Sequence, residues 1–217
     1  FPRSGANLSV VAQIAPPYSL LGRKLRPDAT AQERYKWVEY HKWRFDFQQY
    51  TKLVGNLVLM SRIQYGWLGN YTQETGEVPF GRFYVGGDGI MGFALDDREL
   101  IGLRGYQNNS LTPRDPQTSQ LLGATAFQKY TMELRYPLSL NPSATIYATT
   151  FLEAGNSFRK VRQFDPFLNY RSAGVGVRVF LPMFGLLGVD WGYGMDPVPG
   201  AGEVHKGNVH ISIGQSF

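Results

Sequence analysis

The fold is decided by residues 170–194, which read YRSAGVGVRVFLPMFGLLGVDWGYG. Apolar side chains occupy every second position on both sides of the tetrapeptide PMFG at 182–185, and most of the positions between them are glycine, serine or charged residues. The apolar positions are Ala173, Val175, Val177, Val179, Leu181, Leu187, Val189, Trp191 and Tyr193. A period of two is typical of a β-strand with one apolar face. The stretch therefore predicts two strands, 170–181 and 186–194, joined by a tight turn.

The same alternation recurs along the whole chain, and helical periodicity is weak throughout. The alternating segments are 6–14, 35–49, 54–67, 124–136, 144–154, 170–181, 186–194 and 207–217. The longer connections are 15–34, 68–123, 155–169 and 195–206, and the shorter ones are 50–53, 137–143 and 182–185. Long and short connections thus alternate along the chain, as extracellular loops and periplasmic turns do in outer-membrane barrels. This pattern predicts that both ends of the chain lie on the periplasmic side.

Composition narrows the class of protein further. The 217 residues include 13 Tyr, 14 Phe and 4 Trp, and there is no cysteine, which excludes disulfides and thiolate metal sites. The sequence contains no run of about 18 apolar residues, so it predicts no transmembrane helix. The net charge of +5 is spread along the chain without a basic stripe, so we expect no nucleic-acid partner. A soluble β protein and a membrane β-barrel remain.

The two faces of the segments favour the membrane. A soluble β-sandwich also alternates, with its apolar faces turned toward each other. Here the apolar faces are long, and several end in Trp or Tyr, as the interfacial girdle of a barrel requires. The opposite face is rich in glycine, serine and charge, which suits a crowded or wet lumen. We therefore predict an all-β, antiparallel transmembrane β-barrel with eight strands in this chain.

The longest connection, 68–123, contains LIGLRGYQNNSLTP at 100–113. A loop of this length is usually functional. Arg104 by itself would be no more than a solvated charge beside a turn. It gains interest from Glu133 in YTMELRYP and Glu153 in TTFLEAGNSF, because inward-facing positions would place both carboxylates in the lumen on neighbouring strands.

A buried carboxylate requires a partner. A loop folded back into the lumen could supply Arg104, whose planar guanidinium can bond two acids at once. The alternative from sequence is that Glu133 pairs with Lys129 or Arg135, while Glu153 simply faces channel water.

No catalytic motif emerges from the sequence. The three histidines, His41, His205 and His210, are isolated, and none lies in HExxH or in a Cys/His metal-binding spacing. GxSxG, Walker and GxGxxG motifs are absent, and we read Asp96, Asp97 and Asp165 as surface charge in loops. We expect no enzyme activity, no cofactor and no metal site.

These residues resemble the BamA-type outer-membrane assembly and translocation barrels. The loop motif of that family, (V/I)RG(F/Y), is similar to Leu103, Arg104, Gly105 and Tyr106, with a conservative change at the first position. FGRFYVGG at 80–87 resembles the aromatic approach to the motif, and FPRSG at 1–5 resembles a periplasmic turn. FLPMFGLLGVDWGYG at 180–194 resembles the turn before the penultimate strand, and ISIGQSF at 211–217 resembles the terminal strand.

The resemblance implies that residues 1–217 are the C-terminal half of a sixteen-stranded outer-membrane β-barrel, without the periplasmic POTRA domains of the family. Loop 68–123 would fold inward from the extracellular side, and Arg104 would hold it in the lumen through Glu133 and Glu153. The last strand would form one side of a gate and carry the assembly signal. Its implied gate and signal residues are Ile211, Ile213, Gly214 and Phe217.

The implied function is the folding and insertion of β-barrel proteins in the outer membrane of a Gram-negative bacterium, without ATP or covalent chemistry. The implied partners are the lipid bilayer, unfolded outer-membrane protein clients and accessory assembly lipoproteins. A strand edge offers unpaired N–H and C=O groups to an incoming strand, which is the physical basis of such an activity. Three alternatives stay open: a TamA-type or two-partner-secretion translocation barrel, a passive porin-like barrel, and a soluble β-sandwich binding module.

Overall fold

The computed structural model of the chain describes residues 1–20, 22, 30, 39–71, 78, 80–89, 98–141, 143–183, 185–198 and 207–214. Their strands are β1 (Gly5–Ile14), β2 (His41–Lys52), β3 (Val58–Gly69), β4 (Phe83–Val85), β5 (Glu99–Ile101), β6 (Ala126–Asn141), β7 (Ala144–Phe158), β8 (Tyr170–Leu181), β9 (Gly185–Gly194) and β10 (Asn208–Ile213), with one 3-10 turn at Val161–Gln163. No helix in these ranges is both long and apolar enough to cross a membrane.

Eight of these strands form one antiparallel sheet in the order β1-β2-β3-β6-β7-β8-β9-β10. Every long strand pairs with its neighbour in that order through an antiparallel register. The predicted all-β antiparallel architecture is confirmed. Within the described residues β1 and β10 are the two edges of the sheet.

The eight predicted segments match the eight long strands, but several bounds differ. The turn expected at 50–53 lies at 53–57, because β2 continues to Lys52 and β3 begins only at Val58. β7 continues to Phe158 rather than to 154. The segment expected to begin at 35 is a strand only from His41, and residues 31–38 lie outside the described part. The turn expected at 137–143 is wrong, because β6 continues to Asn141 and β7 begins at Ala144. Pro137 is accommodated by a register shift between Pro137 and Ser139. Proline is tolerated at such an irregularity because its missing N–H need not join the ladder.

The two faces of the sheet differ as the alternation predicted. Outward-facing apolar side chains stay exposed: Met132, Leu152, Val175 and Val189 have 51%, 57%, 55% and 55% of their surface accessible. Inward-facing neighbours such as Glu133 and Asp190 are buried. Apolar side chains also face inward, among them Met60 and Phe151. The concave side of the sheet is therefore crowded rather than wet.

The connection between β3 and β6 has secondary structure of its own, which the sequence did not predict. β4 and β5 form a parallel two-stranded sheet in the register Phe83↔Glu99 to Val85↔Ile101. Bridges tie Phe83 to Ala124 and Gly87 to Leu103. A strand of three residues is too short for a period of two to stand out, which explains why it escaped detection.

The main hydrophobic core lies between this connection and the sheet. Phe83 packs edge-on against Phe127 of β6 with 4.7 Å between ring centroids. The other buried members of the core are Leu68, Val85, Leu103, Tyr106, Leu111, Ala124 and Val198. The connection is thus anchored on the concave side of the sheet, and its turn at 103–106 is part of that core.

Candidate functional site

The predicted loop motif Leu103–Tyr106 lies buried against the concave face of the sheet. Leu103 and Arg104 have no accessible surface, and Tyr106 has 4%. Gly105 adopts φ +88°, a left-handed conformation that L side chains rarely take. This turn directs the side chain of Arg104 toward β6 and β7.

Arg104 lies between Glu133 and Glu153. Its Nη2 and Nε donate to Oε1 of Glu153 at 2.8 and 3.1 Å, and its backbone N–H donates to Oε2 of Glu153 at 2.9 Å. Its Nη1 donates to Oε2 of Glu133 at 3.0 Å. The guanidinium carbon also lies 3.6 Å from the ring centroid of Phe151. One arginine side chain therefore connects the loop to two neighbouring strands.

The register of the sheet brings the two acids together. Glu133 of β6 stands opposite Phe151 of β7, and Glu153 stands opposite Thr131. The carboxylates are therefore diagonal neighbours on one face of an antiparallel pair, within reach of long side chains. They leave a site above Phe151 that the planar guanidinium occupies.

Both acids also have a cationic partner on β6. Glu133 therefore pairs both with Arg104 and with Arg135, which the sequence analysis had treated as alternatives. Oε1 of Glu133 accepts from Nε of Arg135 at 2.7 Å. Glu153 lies 3.1 Å from Nζ of Lys129, and it is buried rather than facing channel water. Lys129 in turn donates to the backbone carbonyl of Gly102 at 2.6 Å.

Arg178 and Asp190 extend the cluster, and sequence reasoning missed their part in it. Arg178 donates from Nη1 and Nη2 to the two oxygens of Asp190 at 2.9 and 2.7 Å. Asp190 Oδ1 is also 3.4 Å from Nη1 of Arg104. The signal was present in the sequence, because both residues occupy inward-facing positions of the β8–β9 hairpin.

These contacts join seven buried ionic side chains into one cluster, which we call the lumen cluster. Its members are Arg104, Lys129, Glu133, Arg135, Glu153, Arg178 and Asp190. Burial alone would lower the pKa of Arg104, but the negative charges of Glu153, Glu133 and Asp190 outweigh burial and raise its pKa above the ordinary value. Removing one member takes an ionic hydrogen-bond partner from side chains that remain buried.

Gly105 contacts the last strand, a connection that the sequence did not predict. Its backbone N–H donates to Nε2 of His210 at 2.8 Å, and its carbonyl accepts from Nδ2 of Asn208 at 2.9 Å. Nδ1 of His210 contacts the carboxylate of Asp88. The histidine that looked isolated in sequence therefore joins the loop to β10.

Tyr106 fixes the other end of the motif. Its hydroxyl donates to the carbonyl of Arg171 at 2.6 Å and lies 3.3 Å from the backbone N–H of Asp196. Burial raises the pKa of Tyr106 to about 12, so the phenol stays protonated under physiological conditions. The neutral hydroxyl thereby links the loop to the strand end of β8 and to the connection that follows β9.

Replacing Tyr106 by phenylalanine should change how stability responds to alkaline pH. An unfolded tyrosine titrates near 10, whereas the pKa of Tyr106 is about 12 in the folded protein. The folded state thus holds this proton more tightly, and its stabilising contribution is lost as pH rises from about 10 to about 12. Tyr106→Phe should be less stable at neutral pH by about 1 kcal/mol because it lacks the hydrogen bonds.

Unfolding temperatures of the two proteins in detergent, measured from neutral pH to pH 12, test this expectation. The difference between the two unfolding temperatures should narrow as the pH rises past 10, because only the protein that carries Tyr106 loses this contribution. Parallel curves would show that the Tyr106 hydroxyl is not responsible. Other tyrosines titrate in both proteins and cancel in the comparison.

Three of the four residues predicted for the gate strand lie in the described part of the chain. Ile211 and Ile213 of β10 point outward and are exposed, and Gly214 has φ +69° and donates its N–H to the carbonyl of Leu186 at 2.6 Å. Phe217 lies outside the described residues. The roles of these four residues in a gate or an assembly signal stay predictions, as does the role of Arg104 as a latch.

Comparisons with known proteins identify the family. The family model of the Omp85 superfamily domain matches residues 1–217. The outer membrane protein assembly factor BamA of Nitratidesulfovibrio vulgaris is 30% identical over 175 residues, which is 79% of this chain and 20% of that protein. The chain thus spans about a fifth of the length of this relative.

A solved structure agrees in fold. The crystal structure of BamA from Haemophilus ducreyi lacking POTRA domains 1–3 superposes with a TM-score of 0.63 at 15% identity, covering 98% of this chain and 38% of that one. The lipid-facing alternation, the antiparallel sheet and these matches agree, and they place the chain in the outer membrane of a Gram-negative bacterium as a member of the Omp85 superfamily.

Proposed function

We propose that the protein carrying this chain folds and inserts β-barrel proteins into the outer membrane. The observation that carries the proposal is the contact of Arg104 with Glu133 and Glu153, which joins the loop motif Leu103–Tyr106 to β6 and β7. The similarity to an outer membrane protein assembly factor supports the choice of activity. The proposed partners are unfolded outer-membrane proteins, the bilayer and accessory lipoproteins, and the activity needs no catalytic residue or cofactor.

The proposed mechanism uses the edge of the sheet. Among the described residues β10 pairs on one side only, with β9. Its other edge presents backbone N–H and C=O groups that an incoming strand of a client could pair with. In lipid such groups must be satisfied within protein, so pairing with a client strand is strongly favoured over exposure.

The lumen cluster supports this mechanism by keeping the rest of the sheet rigid. It joins β6, β7, β8 and β9 through the ion pairs of Arg104 and Arg178. Opening of the sheet is then confined to its edge at β10, because a buried network whose hydrogen bonds are all formed keeps the strands it joins in one arrangement. A passive pore would give these contacts no comparable role.

Folding of a client in vesicles tests the proposed function. The full-length protein is reconstituted into phospholipid vesicles, and a urea-unfolded outer-membrane barrel is added. The folded client is measured over time by its heat-dependent migration in gel electrophoresis. We expect severalfold faster folding than in protein-free vesicles or in vesicles that contain a passive porin.

Two outcomes would contradict the proposal. Equal folding rates in all three kinds of vesicle would remove assembly as the activity. Large stable conductance with no folding activity would favour a passive porin, whereas export of a passenger protein without client insertion would favour a translocation barrel.

A further inference from the structure

β10 is held by contacts on two sides of the strand. Along its backbone it pairs with β9 from Asn208↔Gly192 to Ile213↔Leu187. From the concave side, the side chains of Asn208 and His210 each form a hydrogen bond with the backbone of Gly105, at its carbonyl and its N–H respectively. The two residues are two positions apart, so they share one face of the strand.

The bond to His210 requires one tautomer. The backbone N–H of Gly105 donates to Nε2 at 2.8 Å, so Nε2 carries no proton and serves as an acceptor. The remaining proton of a neutral imidazole is then on Nδ1, which faces the Asp88 carboxylate. Asp88 therefore holds the ring in the form that accepts from Gly105. The backbone N–H of Asp88 is itself fixed by Oδ1 of Asn108 at 3.0 Å.

The close approach of the loop to β9 sets the position of this peptide. A Cβ placed on Gly192 would lie 2.6 Å from the nitrogen of Gly105 and 3.0 Å from its Cα. Only a residue without a side chain leaves this space open. Because Gly192 stands opposite Asn208, the backbone N–H and carbonyl of Gly105 lie where the side chains of β10 can reach them.

We propose that Asn208, His210 and Asp88 are positioning residues that tether β10 to the loop motif Leu103–Tyr106 and set how readily β10 leaves β9. The inference rests on the proposed function for its biological meaning, since the edge of β10 is the place where a client strand would pair. Through these contacts, the position of Gly105 in the loop affects how firmly β10 stays paired with β9. Release of the Gly105 contacts frees β10 from the inside without breaking the lumen cluster.

Amide hydrogen exchange measures the tether directly. In the full-length protein in detergent, exchange of the segment 208–213 is compared between the native protein and the double variant Asn208→Ala/His210→Ala. Two lost hydrogen bonds predict exchange that is roughly tenfold faster or more in this segment. Segments in β6 and β7 should keep their native protection, because Arg104 retains its partners there.

Three further variants make the result specific. Ser212→Ala is the matched control, because Ser212 is buried on the same face of β10 and its hydroxyl has no hydrogen-bond partner among the described residues. His210→Gln keeps an acceptor of similar reach and should restore part of the protection. Gly192→Ala leaves β10 itself unchanged but displaces Gly105, so it should accelerate exchange in 208–213 as well.

The outcomes separate this inference from the proposed function. Unchanged exchange in the Asn208→Ala/His210→Ala variant overturns the tether, whatever the protein does to clients. Equal acceleration in the Ser212→Ala control also overturns it, because the effect would then be general loosening of the strand. Faster exchange with native client folding would support the tether and contradict the role of this edge in assembly.

Discussion

Replacing Arg104 by methionine should lower the free energy of unfolding by about 3–5 kcal/mol, the range expected when one partner of a buried ion-pair network is removed. Methionine fills much of the same volume and can keep contact with the Phe151 ring, so the loss is one of charge rather than of packing. Glu153 would lose its two guanidinium bonds, and Glu133 would keep only Arg135. Denaturant unfolding and the temperature of the heat-dependent gel shift measure the effect.

Two comparisons separate this effect from a general loss of positive charge. Arg114→Met removes an exposed arginine from the same loop and should change stability by less than about 0.5 kcal/mol. Glu153→Gln should cost less stability in Arg104→Met than in the native protein, because Glu153 has already lost its guanidinium bonds there and keeps only Lys129 as an ionic partner. Native stability of Arg104→Met, or equal losses from Glu153→Gln in the two backgrounds, would show that Arg104 does not hold the loop in place.

The architecture was open to prediction because alternation is a property of each strand separately. The outward faces of 170–181 and 186–194 depend only on the period of two, and both strands appear with nearly the expected bounds. Pro137 misled the prediction, because proline usually marks a turn but here stands at a register shift within β6. β4 and β5 are too short to produce a period at all.

The site was predictable only where two facts could be combined. Arg104, Glu133 and Glu153 were joined by the need of buried carboxylates for a cation and by resemblance to a known loop motif. His210 and Asn208 contact backbone atoms of Gly105, and a backbone partner leaves no mark in the sequence. The place of Asp190 beside Arg104 depends on how deeply the loop enters the lumen, which strand periodicity does not fix.

Replacing Gly105 by alanine should be the most disruptive single-methyl change in the loop motif. The residue has φ +88°, which costs an L side chain about 1–2 kcal/mol. A Cβ here would also lie 2.8 Å from Cβ of Ser172 and 2.9 Å from the carbonyl carbon of Tyr193. Because the latter is backbone of β9, relief requires the loop to withdraw, and overpacking of this kind adds about 1–3 kcal/mol.

The matched control for Gly105→Ala is Gly55→Ala, since Gly55 has φ +57° in the turn between β2 and β3 and an added Cβ would meet nothing within 4 Å. Both variants carry the strain of a left-handed alanine, but only Gly105→Ala also meets the sheet. The difference between their unfolding free energies therefore measures how firmly the loop is seated, and we expect Gly105→Ala to lose about 1–3 kcal/mol more. Faster amide exchange in 208–213 should accompany that loss, because withdrawal of Gly105 also breaks its bonds to Asn208 and His210. Equal losses in the two variants would mean that the loop rests on the sheet without pressing against β8 and β9, and the close approach at Gly105 would then have no energetic weight.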